Sequence, residues 1–403
     1  MIPFSPPKIY KEIIDEVVDT LQSGWITTGP KTKLFENNLT EYCGNKKTLC
    51  LNSATAGLEI ILRWFGVGEG DEVIIPVYTY CATANTVVHC GATPVFVDVN
   101  DDFNVSLEKI EEAITSKTKV IMPVDFAGYP CDYNQINELV QSEHIKSLFK
   151  AKTENQKKLG RILVLSDAAH SFGGSYHSKR TGNLTDVSVF SFHAVKNLTT
   201  SEGGAIALNL PEPFDNNKVY DYLCVKTLHG QNKDALAKTK KGAWRYDVIE
   251  AGYKANMTDI QASLGLVELK HYHQTLDKRK HIFDKYTKAF EELDWAQIPI
   301  YETKERVSSF HLYPLRINSI TEDQRDKIIE LIFEKDVSVN VHFQPLPILS
   351  FYKSMGYKMD DYPVAYDNYS REISLPVYYD LSDENVETVI EAVIKSVQEV
   401  INA

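Results

Sequence analysis

Seven short apolar runs constrain the fold of this chain more than any other feature. They recur between Lys47 and Leu208 as Thr48–Leu51, Glu72–Pro76, Pro94–Val99, Lys119–Val124, Ile162–Leu165, Val187–Phe192 and Ala205–Leu208, several rich in Val and Ile and bounded by Gly, Pro, Asp or Ser. A run that is apolar throughout has no solvent face, so it belongs in a strand covered on both sides. The amphipathic stretches between the runs are long enough for the crossover helices that a parallel sheet requires. Residues 1–250 therefore read as a large α/β domain with a mainly parallel, helix-covered sheet, whose ligands gather at the carboxyl ends of the strands.

The texture changes after Ala251. Thr258-Asp-Ile-Gln261 has the form of a capping box and opens a long amphipathic helix. Ser382 reads as the N-cap of a last helix, with Val386, Val389, Ile390, Val393 and Val397 at helical spacing. Residues 251–403 thus read as a smaller α+β domain. The stretch 142–160, rich in Lys, Glu and Gln between two strand candidates, reads as a solvated helical insertion.

Several function classes fall away. Acidic residues outnumber basic ones, 55 against 43, for a net charge of −12, so nucleic acid and anionic membranes are poor partners and an anionic substrate needs a local positive site. No window approaches the ~18 apolar residues of a membrane span, and MIPFSPPKIY does not read as a secretory signal. Six cysteines without a C-x-x-C pair suit free thiols in a reducing compartment, the cytoplasm. Gly66-Val-Gly-Glu-Gly70 follows an amphipathic stretch and precedes a strand, the reverse of a dinucleotide loop, so it reads as a helix C-cap and turn. His271 and His273 point to different faces of a helix, and no metal ligand set is visible.

The chemistry concentrates in Leu165–Gly204. One strand delivers Asp167 at its carboxyl end; another delivers Ser191 and, after a turn, Lys196. Those two groups alone are either a plain ion pair or part of a site. Upstream, Asn52-Ser-Ala-Thr-Ala-Gly57 joins a strand to a helix, where Ser53, Ala54 and Thr55 either cap the helix or cradle a phosphate. Pro76–Asn85 places an aromatic pair, Tyr78 and Tyr80, at another strand end, as core or as a stacking face. Amine, carboxylate, phosphate cradle and ring face together are the set that pyridoxal phosphate requires.

With these motifs in view, the chain resembles the fold-type I pyridoxal-phosphate-dependent nucleotide-sugar aminotransferases, the DegT/DnrJ group, over nearly its whole length. The matching segments are SGWITTGPKTKLFE, NSATAGL, YTYCATANTVVHCGATPVFVDV, DAAHSFGG, FSFHAVKNLTTSEGG, GYKANMTDIQASLGLVEL, HFQPLP and LPVYYDLS. The resemblance implies that Lys196 bonds the cofactor aldehyde and that Asp167 holds the ring nitrogen protonated. It implies further that His170 lies near the ring hydroxyl, that Tyr80 stacks on the ring, and that Ser53, Ala54, Thr55 and Ser191 contact the phosphate. Asn256 matches an asparagine that reaches the phosphate from the neighbouring subunit, which implies a homodimer with shared sites. Thr28, His193 and His342 match segments that line the sugar site.

The implied reaction is amino transfer from L-glutamate, through the pyridoxamine form, to a keto nucleotide sugar: first a UDP-linked 4-keto-6-deoxy sugar, second a dTDP-linked 3-keto sugar. A sugar dehydratase on the same scaffold is expected to lack Lys196, a regulator to carry a DNA-binding domain or to have lost the lysine, and a nicotinamide-dependent epimerase to show an N-terminal Gly-rich turn. The chain departs from the group's pattern at Ser201, where Gly is common, at Gln344 and Pro347, and in the 142–160 insertion.

Overall fold

The computed structural model describes residues 1–232 and 245–402. The apolar runs form β1 (Lys47–Leu51), β2 (Glu72–Pro76), β3 (Thr93–Val97), β4 (Thr118–Ile121), β5 (Leu163–Asp167), β6 (Val187–Ser191) and β7 (Gly204–Leu208) of one sheet. Their order is β1-β7-β6-β5-β4-β2-β3. The neighbours from β6 to β3 pair in parallel, and β7 alone runs antiparallel, to both β1 and β6. The reversal has a local cause. From β6 the chain returns through a helix-free loop closed by Phe192 N–H to Gly203 O (2.9 Å) and Thr200 N–H to Phe192 O (2.9 Å), so the next strand comes back beside β6 instead of crossing over it. Lys196 rides on that loop.

The helix Ala54–Phe65 is capped by Ser53 and ends at Gly66 with φ 81°, as expected of a C-cap. The 142–160 insertion differs from the solvated segment that its composition suggests. It forms two short helices, Glu143–Leu148 and Glu154–Leu159, with Gln156 fully buried. Gln156 Nε2 donates to Phe65 O (3.1 Å), Asn155 Nδ2 to Trp64 O (2.8 Å) and Thr153 Oγ1 to Phe65 O (3.0 Å). These donors satisfy carbonyls that the end of a helix leaves open, so polar residues that read as water-facing are matched to backbone instead.

A second, antiparallel sheet joins β8 (Ala296–Gln297), β9 (Tyr313–Ile317) and β10 (Glu372–Leu375), with the helices Glu322–Phe333 and Asp383–Ile401 packed on it. The helix Asp259–Phe290 opens with the expected Thr258/Gln261 capping box. Its first half packs with Phe35, Phe172 and Phe190 of the large unit, and its second half, Ile282 to Phe290, with Ile373 and Val393 of the small one. Ile2 pairs with Val337 and packs on the apolar cluster that β9 and β10 share, which ties the N-terminal residues to the small sheet.

Candidate active site

Strand β1 turns at Asn52 and Ser53 into the helix Ala54–Phe65, β5 ends at Asp167, and β6 ends at Ser191. Ser53 Oγ accepts the Ala56 N–H at 3.1 Å, so it does cap the helix. β7 begins so close to this turn that a Cβ on Gly204 would lie 2.5 Å from the Ala54 nitrogen; only glycine lets the two backbones meet there. Ser201 holds the left-handed conformation (φ 70°) in the loop before β7, a backbone region that favours glycine.

A cavity of about 370 Å³ opens over these strand ends. Ser53, Ala54 and Thr55 line it at the helix N-terminus, Asp167, His170 and Ser191 beside the strand ends, and His193 and Lys196 on the loop. Tyr80 and His342 line it as well. Tyr80 is 60% exposed whereas Tyr78 is fully buried, so the aromatic pair divides between an open face and the core. Thr28 and Asn256 do not line this cavity. They are bonded to each other, Asn256 Nδ2 to Thr28 Oγ1 at 2.6 Å, and Lys254 Nζ donates to Asn256 Oδ1 at 2.6 Å.

Asp167 is buried and accepts hydrogen bonds from Thr83 Oγ1 (2.8 Å) and the Ala169 N–H (3.3 Å). Burial raises its pKa, against those bonds and the charge of Lys196. Burial pushes the Lys196 ammonium down to about 8, with Asp167 opposing. No ion pair within 4.0 Å joins the two, so the plain ion-pair reading is set aside: each charge faces the cavity without the other's direct contact.

Three imidazoles surround this pair, all held neutral. Burial and the nearby Lys196 lower His170 well below its ordinary value and His342 to about 3. His311 is lowered well below as well, by burial and then by His170 and Lys196. His170 Nδ1 is buried without a hydrogen-bond partner, and its ring lies 4.4 Å from that of His311. Asn197 fixes this arrangement: its Nδ2 donates to Ser309 O (2.6 Å) and its Oδ1 meets His311 Nδ1 at 2.8 Å.

Sequence reasoning missed Thr83, His311, Phe343 and Phe4, which also line the cavity. Thr83 carried a signal, since it lies one turn past Tyr80 on the helix Cys81–His89 and so shares its face. The others carried none. Phe4 stacks on His342 with ring centroids 5.5 Å apart. Away from the cavity, His271 bonds Glu12 and His273 bonds Asp277, two separate surface contacts.

The model of the DegT/DnrJ/EryC1/StrS aminotransferase family matches residues 7–394. The chain belongs to that family. This aminotransferase is 40% identical to MJ1066 of Methanocaldococcus jannaschii over 397 residues, 98% of this chain and 97% of that one. It is 37% identical to the spore coat polysaccharide biosynthesis protein SpsC of Bacillus subtilis over 399 residues, 97% and 96% of the two chains. Its structure matches Spr1654 of Streptococcus pneumoniae, described as a sugar aminotransferase and solved in its PMP form, with a TM-score of 0.96, 46% identity and coverage of 99% of this chain and 100% of that one. The fold is thus the α/β fold of these aminotransferases. Among the described residues, no helix of this aminotransferase is long and apolar enough to cross a membrane.

Proposed function

We propose that this aminotransferase moves an amino group from L-glutamate to the ketone of a sugar carried on a nucleoside diphosphate. A UDP-linked 4-keto-6-deoxy hexose, N-acetylated, is the first substrate to try and a dTDP-linked 3-keto sugar the second; the product would be an amino sugar for capsule, O-antigen or other glycan. The observation that carries the reading is the pairing of Lys196 and Asp167 across one cavity, each buried enough to shift its proton affinity and neither neutralising the other by contact.

The cofactor is pyridoxal 5'-phosphate, and the residues present fit it. A buried carboxylate with two neutral donors, Asp167, lacks the cation that a protonated ring nitrogen provides. The unpartnered Nδ1 of His170 offers a partner to a ring oxygen. The Ser53–Thr55 turn, with Ser191 alongside, presents a helix N-terminus, where an anion is favoured, and Gly204 keeps the adjoining backbone free of a side chain. Bound there, pyridoxal phosphate supplies an aldehyde to carry the amino group and a ring to withdraw electrons.

The chain's own groups do the rest. The Lys196 amine, brought to about 8, is uncharged often enough near neutrality that it would hold the cofactor as a nucleophile and, once released, would take up and return a proton as the general base of the site. Asp167, oriented by Thr83, would hold a protonated ring nitrogen, and in a water-poor cleft its charge acts more strongly than in solvent. Neutral His170, His311 and His342 add hydrogen-bonding capacity without competing positive charge.

Each complete site is proposed to take Asn256 from a second copy of the chain, in a homodimer. The Thr28–Asn256 bond is not part of the lining of its own cavity, and the chain exposes apolar Ile26, Leu34, Val248 and Ile249 in the same two sequence regions, which suits a partner copy. All six cysteines are free, which suits the reducing cytoplasm. The test of substrate is to incubate the pyridoxamine form with 3-keto and 4-keto nucleotide sugars and follow the return of the long-wavelength cofactor absorption. Return with no member of the panel overturns the reading.

A further inference from the structure

His342 enters the cavity from the small unit, and what lies behind it is a chain of hydrogen bonds rather than packing. Its Nδ1 meets Ser374 Oγ at 3.0 Å, and Ser374 Oγ donates to Glu372 Oε1. Glu372 Oε2 accepts the backbone N–H of His342 at 3.1 Å. Glu372 and Ser374 stand two apart on β10 and so share one face. The His342 segment is laid beside that face by Asn340 N–H to Ser374 O (3.2 Å) and Ser374 N–H to Asn340 O (2.8 Å), and Tyr78 Oη donates to His342 O at 2.6 Å. The remaining ring nitrogen, Nε2, has no hydrogen-bond partner among the described residues, and His342 lines the cavity.

The carboxylate at the far end of this chain is unusual. Glu372 is fully buried, yet its two neighbouring arginines are turned elsewhere. Arg325 on the helix Glu322–Phe333 pairs with Asp326 (2.6 Å) and gives Glu372 only a bond to its backbone oxygen (3.1 Å), and Arg316 on β9 bonds Asn368. Tyr78 is the other titratable group facing it. The carboxylate is left with two neutral donors, Ser374 and the His342 N–H.

We propose that Glu372, Ser374 and His342 form a proton relay ending in the active-site cavity, by which His342 accepts a proton at Nε2 while its ring stays neutral. A proton that stayed on the ring would place an imidazolium beside Lys196, among His170 and His311, in a site that resists it. In the relay one proton enters at Nε2, the Nδ1 proton passes to Ser374 Oγ, and the Ser374 proton passes to Glu372 Oε1. No electrons are transferred, one proton is gained, and the only charge that changes is that of the buried carboxylate, which is neutralised. Run backward, the relay delivers a proton to the cavity. The use of this rests on the proposed function: a ketone oxygen replaced by an amine leaves as water and needs protons at the sugar end of the site. His342 touches the cavity; Glu372 and Ser374 are positioning residues that act through it.

The relay makes the tautomer of His342 a readout of Glu372. Burial brings Glu372 to about 8. Above that pH the ionised carboxylate orients Ser374 to accept from Nδ1–H; below it the protonated carboxyl donates to Ser374, which donates to Nδ1 and leaves the proton on Nε2. In Glu372→Gln the amide oxygen accepts the His342 N–H, so the NH₂ faces Ser374 and fixes the Nε2–H tautomer at every pH. In ¹⁵N-histidine spectra of the holoenzyme, assigned with His342→Gln, wild type is expected to exchange tautomers through this range. Glu372→Gln should hold one tautomer, Ser374→Ala should lose the pH dependence, and Ser374→Thr should keep it.

The keto-sugar half-reaction of Glu372→Gln is expected to slow about 10²-fold with KM little changed. One tautomer at all pH values in wild type, the wild-type pH dependence retained in Glu372→Gln, or a change in KM alone overturns the relay. The spectra need no substrate, so their failure sinks the relay, while failure of wild type to aminate any keto nucleotide sugar sinks the proposed function instead.

Discussion

On one side of the cavity, Ser53–Thr55, Asp167, Ser191 and Lys196 stand at or just beyond the carboxyl ends of β1, β5 and β6, tied to a single sheet. On the other side, Phe4, His311, His342 and Leu375 come from the N-terminus, two loops and a strand of the small unit. The first side carries charge: an amine and a carboxylate placed by the parallel pairing of β5 with β6 and by the short loop that follows β6. The second carries neutral imidazoles and apolar rings, each oriented by a side chain from another segment. Bond-making chemistry needs fixed charge, which a sheet supplies; discrimination among sugars needs a surface that can be altered without moving that charge. Changes on the sheet side should therefore strike turnover and cofactor binding, and changes on the opposite side should strike the sugar.

The strongest way to break this contrast is Lys196→Ala, expected to lower turnover about 10⁴-fold or more with circular dichroism and Tm near wild type; near-normal activity would end the assignment. Asp167→Asn comes next. It should retain the cofactor yet turn over about 10²–10³-fold more slowly, and unchanged turnover would remove Asp167 from its role.

Asn256→Ala should weaken cofactor binding by roughly 1.5–3 kcal/mol. Mixed with Lys196→Ala subunits, it should regain activity, because one site in each heterodimer combines a wild-type lysine with the partner's wild-type asparagine. If mass confirms exchange and activity stays at the Asn256→Ala level, the shared site is wrong.

A fourth test concerns the cost of holding Lys196. Its folded-state pKa, about 8 against an ordinary 10.5, means that the unfolded chain binds more protons between those values. The folded cofactor-free protein therefore bears the full penalty below pH 8 and loses it as pH rises from 8 to 10.5. Lys196→Met should stabilise the cofactor-free protein by roughly 1–3 kcal/mol below pH 8, discounted for solvent that still reaches the amine, and by progressively less above it, as read from urea midpoints. A gain independent of pH would point to packing instead.

The smallest expected effect lies on the other side of the cavity. Phe4→Ala removes a ring contact worth about 0.5–1.5 kcal/mol and should raise the sugar KM roughly 2–10-fold while cofactor affinity holds. Equal loss of both would erase the distinction between the two sides.

The sequence by itself determined the seven strands of the large sheet and put Asp167 and Lys196 beside two of them, because those signals are local: apolar runs mark buried strands, although β3 and β4 end two and three residues before their runs do, and Thr258–Gln261 announces its own helix. Only the tertiary structure decided that Tyr80 is open while Tyr78 is core, that Thr28 and Asn256 bond each other and do not line their own cavity, and that Gln156 serves helix carbonyls rather than water. It also assembled Phe4, His311 and the Glu372–Ser374–His342 chain. Their partners lie far off in sequence and meet them through antiparallel pairing and side-chain hydrogen bonds, whereas periodicity and capping report only what a segment does with its near neighbours.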